Sequence, residues 1–207
     1  MSFATIDDLR ESLAGPAYKG RDPAYVERMM HDVPDAPVID RAAFILTRCA
    51  GKSVLHVGAS GPLHEAILKV GKEVVGIDRE GNGKEVLGCD LDDVKGTLPF
   101  ITGVEVVVCG EVIEHLGNPL HFLKRLRGDY PNVPVIVTVP NAFSEAGRKH
   151  MENDLENVNI DHTAWYSYRT LKTLVERAGY KVAEFYWYAP GRPMFCEGLV
   201  FVLEGGT

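Results

Sequence analysis

From Ser53 onward, short runs rich in β-branched residues alternate with helical stretches: Val54–Val57, Leu63–Val70, Glu73–Ile77, Val86–Cys89, Val104–Cys109, a helix around Pro119–Leu126, and Val135–Val139. Apolar runs of this length, separated by helices, belong to a parallel sheet covered on both faces. A further helix, Ser167 to Ala178, stops at Gly179. Two strands then follow in succession, Val182–Tyr188 and Gly198–Leu203, joined by the turn-rich Ala189-Pro-Gly-Arg-Pro193. With no crossover helix between them they read as a hairpin, hence an antiparallel edge on the sheet. The expected fold class is α/β: a doubly wound, mostly parallel seven-stranded sheet with an antiparallel last strand and N-terminal helices.

The first fifty residues read as a helical cap. Thr5 with Asp8 opens a helix whose apolar face holds Ile6, Leu9 and Leu13, and Gly15 stops it. Asp22-Pro23 opens a second through Met30, broken by Pro34 and Pro37. A third runs from about Ile39 to Cys49. Residues 51–207 form the main domain, a single globular unit with a polar, irregular stretch over 141–166.

Composition narrows the class further. With 29 acidic against 22 basic residues the net charge is −7, which argues against a broad phosphate-tracking surface and so against a nucleic-acid partner. The four cysteines show no C-x-x-C spacing and sit in apolar runs, as reduced core residues do. No run reaches the roughly 18 apolar residues of a membrane span. The acidic, amphipathic first residues are unlike a signal or transit peptide, so the expected location is cytoplasmic.

The segment Ser53-Val-Leu-His-Val-Gly-Ala-Ser-Gly-Pro62 runs from strand through a small-residue turn into a helix. Gly58 and Gly61 let backbone approach a ligand, Pro62 suits the first helical position, and the helix N-terminus favours an anionic group. Twenty residues beyond Gly58, Asp78 ends the next strand, where a nucleoside-binding sheet places a carboxylate on the ribose hydroxyls.

Over residues 53 to 205 the chain resembles the class I S-adenosylmethionine-dependent methyltransferases. The matching segments, in order, are the first loop with Asp78, Cys89-Asp-Leu-Asp92, Gly110-Glu-Val-Ile-Glu-His-Leu116, Val139-Pro-Asn141, Ser167-Tyr-Arg-Thr-Leu171 and Ala178-Gly-Tyr180. The resemblance implies a Rossmann-like methyltransferase fold with S-adenosylmethionine as cofactor. It also implies that Gly58, Ser60, Gly61, Asp78, Asp90, Leu91 and Glu111 contact it. Two positions depart from the family's D/E-x-G-x-G pattern: His56 stands for the acid and Ser60 for the second glycine. A dehydrogenase, the competing nucleoside reader, would carry a fuller G-x-G-x-x-G and has no reason for the E-x-x-E-H segment.

Glu111, Glu114 and His115 are spaced to share one face of a helical turn, and two carboxylates with an imidazole suit Mg²⁺ or Mn²⁺. The segment resembles that of ubiquinone-pathway O-methyltransferases and of small-RNA 2′-O-methyltransferases, which carry a later histidine. The resemblance names Glu111, Glu114, His115 and His162 as metal ligands. Without a metal, His115 and His162 are the candidate bases for an acceptor hydroxyl. His31, His64, His121 and His150 read as surface or structural residues. The acceptor pocket is expected between the N-terminal helices and the 141–166 stretch, with Tyr18, Arg21, Tyr25, Met29 and Met30 on one side and Arg148, Trp165 and Tyr166 on the other. The leading expectation is methyl transfer to a hydroxyl of a small molecule or saccharide. A metal-dependent RNA 2′-O-methyltransferase and a non-catalytic module of the same fold stand as alternatives.

Overall fold

A computed structural model describes residues 33–83, 85–93, 98–99, 101–189, 191 and 194–206. The chain divides into two compact units, Met1–Pro34 and Asp35–Thr207. The two expected helices before Pro34, and with them Tyr18, Arg21, Tyr25, Met29 and Met30, lie outside the described residues.

Within the second unit the order is β1 (Val38–Ile39), α1 (Arg41–Cys49), β2 (Ser53–Val57), α2 (Gly61–Val70), β3 (Glu73–Asp78), β4 (Val86–Gly88), β5 (Val106–Gly110), a 3₁₀ turn (Ile113–His115), α3 (Pro119–Asp129), β6 (Val135–Pro140), α4 (Glu145–Met151), α5 (Tyr168–Arg177), β7 (Tyr180–Tyr188) and β8 (Gly198–Gly205). The strands form one sheet ordered β1-β7-β8-β6-β5-β2-β3-β4. All neighbours are parallel except β8, which runs antiparallel to β6 and β7. The mostly parallel sheet with its antiparallel C-terminal strands is the architecture expected from the sequence.

Burial explains why the strands are apolar throughout. Every residue of β2 and four of the five in β5 are buried. Val54, Val106, Val108, Ile136 and Val200 meet Ile45 and Cys49 of α1 and Ile67 of α2 on one face. By strand alternation, Leu55, Val57, Val107, Cys109 and Val137 point to the other face. There α3 and α5 contact each other, and α5 lies along β7. Trp187 is fully buried, and among the described residues all four cysteines are free thiols, three of them buried.

Two local expectations change. The third helix starts at Arg41, not Ile39, because Val38 and Ile39 form a short edge strand in register with Trp187 and Tyr188. Asp40 then caps the helix, its Oδ1 accepting from the Ala43 amide at 2.8 Å. The stretch 141–166 is not irregular throughout. It holds α4, seven residues capped by Ser144, whose Oγ accepts from the Gly147 amide at 3.1 Å.

Candidate functional site

The C-terminal ends of β2, β3, β4 and β5 open into a cleft of about 1490 Å³. Its wall includes Gly58, Ser60, Asp78, Asp90, Leu91, Glu111, His115 and His162, so segments far apart in the sequence converge on one cavity. Gly61 turns the chain with a φ of +65° but is not part of the wall. Such convergence follows from topology, since ligands of open α/β sheets bind beyond the carboxyl ends of the strands.

Gly58 has a φ of +74°, and a Cβ there would sit 2.4 Å from Cγ2 of Val112. Both facts demand glycine. The loop amides are less available than the sequence suggested. Those of Gly58 and Ala59 donate to the Ile77 carbonyl at 2.8 and 3.1 Å, and that of Ser60 donates to Gly58 at 2.9 Å. The unspent donors are the first-turn amides of α2, where Ser60 makes no side-chain cap. Asp78 Oδ1 accepts from the Arg79 amide at 2.6 Å, which fixes the carboxylate at the end of β3. Below Asp90, Asp92 accepts from the amides of Gly117 and Asn118, each at 3.0 Å, tying this loop to the E-x-x-E-H segment.

His56, where the family carries an acid, also lines the cleft. It is buried, with its Nδ1 3.0 Å from Nδ1 of His64, so one ring nitrogen donates and the other accepts. Burial, helped by His64, lowers the His56 pKa to about 3, and burial lowers that of His64 as well. His64 is therefore a structural partner. It has room because Gly76 on β3 carries no side chain: a Cβ there would lie 3.1 Å from the His64 ring and 2.5 Å from Ala59.

The E-x-x-E-H segment folds differently from a continuous helical face. Glu111 adopts a φ of +57°, and its carboxylate is taken up by partners from other elements. Its Oε1 accepts from Thr138 Oγ1 at 2.9 Å and Tyr188 Oη at 3.0 Å, and pairs with Arg41 at 3.2 Å. The Arg41 guanidinium also lies 5.3 Å from the centre of the Tyr188 ring. Arg41 lines the cleft, and no signal in the sequence marks it. Glu111 thus stands apart from the cation-competent group, which is Glu114, His115 and His162, with ligand atoms all within 4.8 Å of one another.

Thr163 brings His162 there. Its amide donates to the Glu114 carbonyl at 2.8 Å, and its hydroxyl is 2.6 Å from the Leu116 carbonyl. The His115 and His162 rings meet edge to face at 4.6 Å. Glu114 is 1% exposed, and neither carboxylate oxygen has a partner among the described residues. Burial, then the Glu111 charge, raises its pKa to about 8. Burial and His115 lower the pKa of His162.

The remaining substrate candidates separate. Trp165 lines a smaller cavity of about 170 Å³ that also has His162 in its wall. Arg148 does not reach either cavity; it pairs with Glu152 at 2.5 Å and lies over the Phe195 ring. Tyr166 is buried, pairs through its backbone with Asn141, and burial pushes its phenol up to about 12.

A family described as a methyltransferase domain matches residues 29–184. Curated protein sequences yield no significant match. Among solved structures, the small RNA methyltransferase HEN1 is similar at a TM-score of 0.64 and 16% identity, covering 86% of this chain and 27% of that one. The chain therefore spans about a quarter of HEN1. The 1,6-didemethyltoxoflavin-N1-methyltransferase of Burkholderia thailandensis is similar at 0.58 and 15% identity, covering 100% and 93%. The mitomycin 7-O-methyltransferase MmcR is similar at 0.58 and 14% identity, covering 95% and 60%. At these identities the structural likeness speaks for the fold, and it spans both N- and O-directed enzymes. Among the described residues no helix is long and apolar enough to cross a membrane. With the family matching three quarters of its length, the chain belongs to the class I S-adenosylmethionine-dependent methyltransferase domains.

Proposed function

We propose that this protein transfers a methyl group from S-adenosylmethionine to a hydroxyl of a small molecule or saccharide. The observation that carries the reading is the His115–His162 pair, held on the wall of the same cleft as the Gly58 loop and Asp78. The cofactor supplies an already activated methyl group. What the chain must add is alignment, exclusion of water and a place for the hydroxyl proton.

In this reading Asp78 accepts from the ribose hydroxyls, Asp90 and Leu91 face the adenine, Gly58 brings the loop backbone close to the cofactor, the Ser60 hydroxyl donates to the methionine carboxylate, and Gly61 turns the chain into α2 behind them. Glu111, fixed by Arg41, Thr138 and Tyr188, bounds the methionine end. His162 or His115 takes the acceptor proton. An amine would need less help, which is why the paired imidazoles favour oxygen. The acidic balance of the chain disfavours RNA as acceptor.

Calorimetric titration of S-adenosylhomocysteine into chelator-treated protein comes first, followed by methyl transfer to hydroxyl acceptors. Asp78→Ala should weaken binding about tenfold or more, the loss of hydrogen bonds to a charged group. His162→Ala should keep that binding and lose roughly 10²–10⁴-fold in transfer, the range of a general base. Absent binding would leave a non-catalytic module of this fold. A fully active His162→Ala would leave the role to His115, and full activity in both His162→Ala and His115→Ala would remove the base.

A second reading has its own observation: two buried Glu114 oxygens without partners, beside two imidazoles. Glu114, His115 and His162 would then hold a divalent cation that lowers the acceptor hydroxyl's pKa. One oxygen and two nitrogen donors suit Mn²⁺ better than Mg²⁺. Activity lost to a chelator and restored by Mn²⁺ supports this reading; chelator-resistant activity leaves the histidines as bases.

A further inference from the structure

We infer that the smaller cavity behind His162 seats a neutral, hydroxyl-rich ring of the acceptor, a sugar or cyclic polyol, while one of its hydroxyls projects past His162 into the cofactor cleft. The inference rests on the methyl-transfer reading for its catalytic meaning, and on the cavity itself for its chemistry.

The position comes from a shared wall. His162 bounds both the large cleft and the smaller cavity of about 170 Å³. That volume suits one ring, not an extended chain. A ring seated there has a single imidazole between it and the place where methyl transfer would occur.

The ligand class comes from what the lining residues have left to offer. Asn141 is fully spent: its Nδ2 donates to the carbonyls of Met194 and Cys196 at 2.8 and 2.9 Å, and its Oδ1 accepts from the Phe143 amide. It is a fixed floor. Ser144 Oγ accepts from the Gly147 amide, so its O–H remains to donate. Asn159 Oδ1 accepts from the Asp161 amide, so its NH₂ remains to donate. The exposed side chains of Asn157 and Glu197 make no hydrogen bond among the described residues.

The cavity thus presents donors (Ser144, Asn159), a group of both kinds (Asn157) and an acceptor (Glu197). A phosphate or carboxylate only accepts. It would meet Glu197 with no lysine or arginine among the described lining residues. An ammonium only donates and would leave Ser144 and Asn159 unanswered. A hydroxyl does both. Trp165, 38% exposed, adds a flat apolar face for the C–H side of a ring.

The test is a titration of methyl pyranosides of differing stereochemistry into the full chain, with and without saturating S-adenosylhomocysteine, read by intrinsic fluorescence and ligand-observed NMR. Methylammonium and inorganic phosphate serve as the cationic and anionic probes. The expected result is saturable binding of at least one glycoside, with quenching that disappears in Trp165→Phe. Asn157→Ala and Glu197→Gln, both at exposed positions, should each weaken it by about fivefold or more, with S-adenosylhomocysteine affinity as in the parent. Glycoside binding in a protein that does not bind S-adenosylhomocysteine would keep the sugar site and overturn the methyl-transfer reading. Cofactor binding with no saturable glycoside, or saturation only by methylammonium or phosphate, would overturn the sugar site alone.

Discussion

A single buried hydrogen bond decides how β2 tolerates acid. His56 and His64 share one proton across 3.0 Å in a site that disfavours charge, and the His56 pKa sits near 3 against an ordinary 6.5. The folded protein therefore binds fewer protons than the unfolded chain between those values. The His56 contribution to stability is fully present above pH 6.5 and falls as pH drops through the window toward 3, by up to about 1.4 kcal/mol per pH unit. Denaturant midpoints at pH 7.5, 6 and 5 in the parent and in His56→Gln isolate the histidine's slope, because Glu114, its pKa raised to about 8, adds an opposing slope common to both proteins. The parent should lose more stability than His56→Gln as pH falls across this interval; identical pH dependence in the two would assign the effect elsewhere. Gly58→Ala makes a second residue-scale case. Its strained φ and the Val112 contact should cost about 1–3 kcal/mol, with weaker S-adenosylhomocysteine binding on top. A thermal melt and a titration of the same variant separate the two effects.

At the scale of elements, helix ends and loop ties set the site's rigidity. Ser167 and Thr170 form a reciprocal cap at the start of α5, the Thr170 Oγ1 accepting from the Ser167 amide at 2.8 Å. Ser167→Ala should cost about 1 kcal/mol, measured as a shift in denaturant midpoint, without loss of cofactor binding because α5 lies outside the cleft wall. Asp92 is the contrasting case, since its two amide partners belong to the segment that carries His115. Asp92→Ala leaves both amides without their acceptor and should destabilise by about 1–3 kcal/mol. Methyl transfer should fall further than stability accounts for. Equal activity per folded molecule would show that the tie is structural only.

The same scale shows what a sequence can disclose. Runs such as Val106–Cys109 were legible because a strand buried on both faces has to be apolar at every position. The Gly58 loop and Asp78 were legible because their spacing follows from one strand–helix–strand unit. The short β1 was not, since two residues carry no period. Helix α4 was hidden because seven mostly polar residues on a surface show no apolar face. Within the site, His115 and His162 are joined by Thr163 across 47 residues or more, and Arg41 reaches Glu111 across 70. Contacts of that span leave no local pattern. The left-handed φ of Glu111, which breaks the helical face, is likewise not revealed by the E-x-x-E-H spacing.

For the molecule as a whole, the order of strands departs from the order of the chain. Strands β2 to β6 can pair among themselves, but β8 lies between β6 and β7, and β1 pairs only with β7. Val38 is in register with Trp187, and the Trp187 amide donates to the Pro37 carbonyl at 3.0 Å. Arg48 of α1 reinforces the join with two hydrogen bonds to Glu184, at 2.9 and 2.6 Å. Contacts so distant in sequence close late in folding. During synthesis, the segment bearing Arg41 must wait until β7 has left the ribosome before its edge of the sheet exists. Tyr188, the last residue of β7, is also one of the three groups that hold the Glu111 carboxylate. Pulse-labelled hydrogen exchange should therefore find the Trp187 amide protected after those of β2 and β5, and protection in the reverse order would refute this sequence of events. A chain released before β7 would carry the Gly58 loop, Asp78 and both site histidines, yet lack Tyr188, one of the three groups that hold Glu111. An unfinished polypeptide thus holds most ingredients of the site without its complete arrangement.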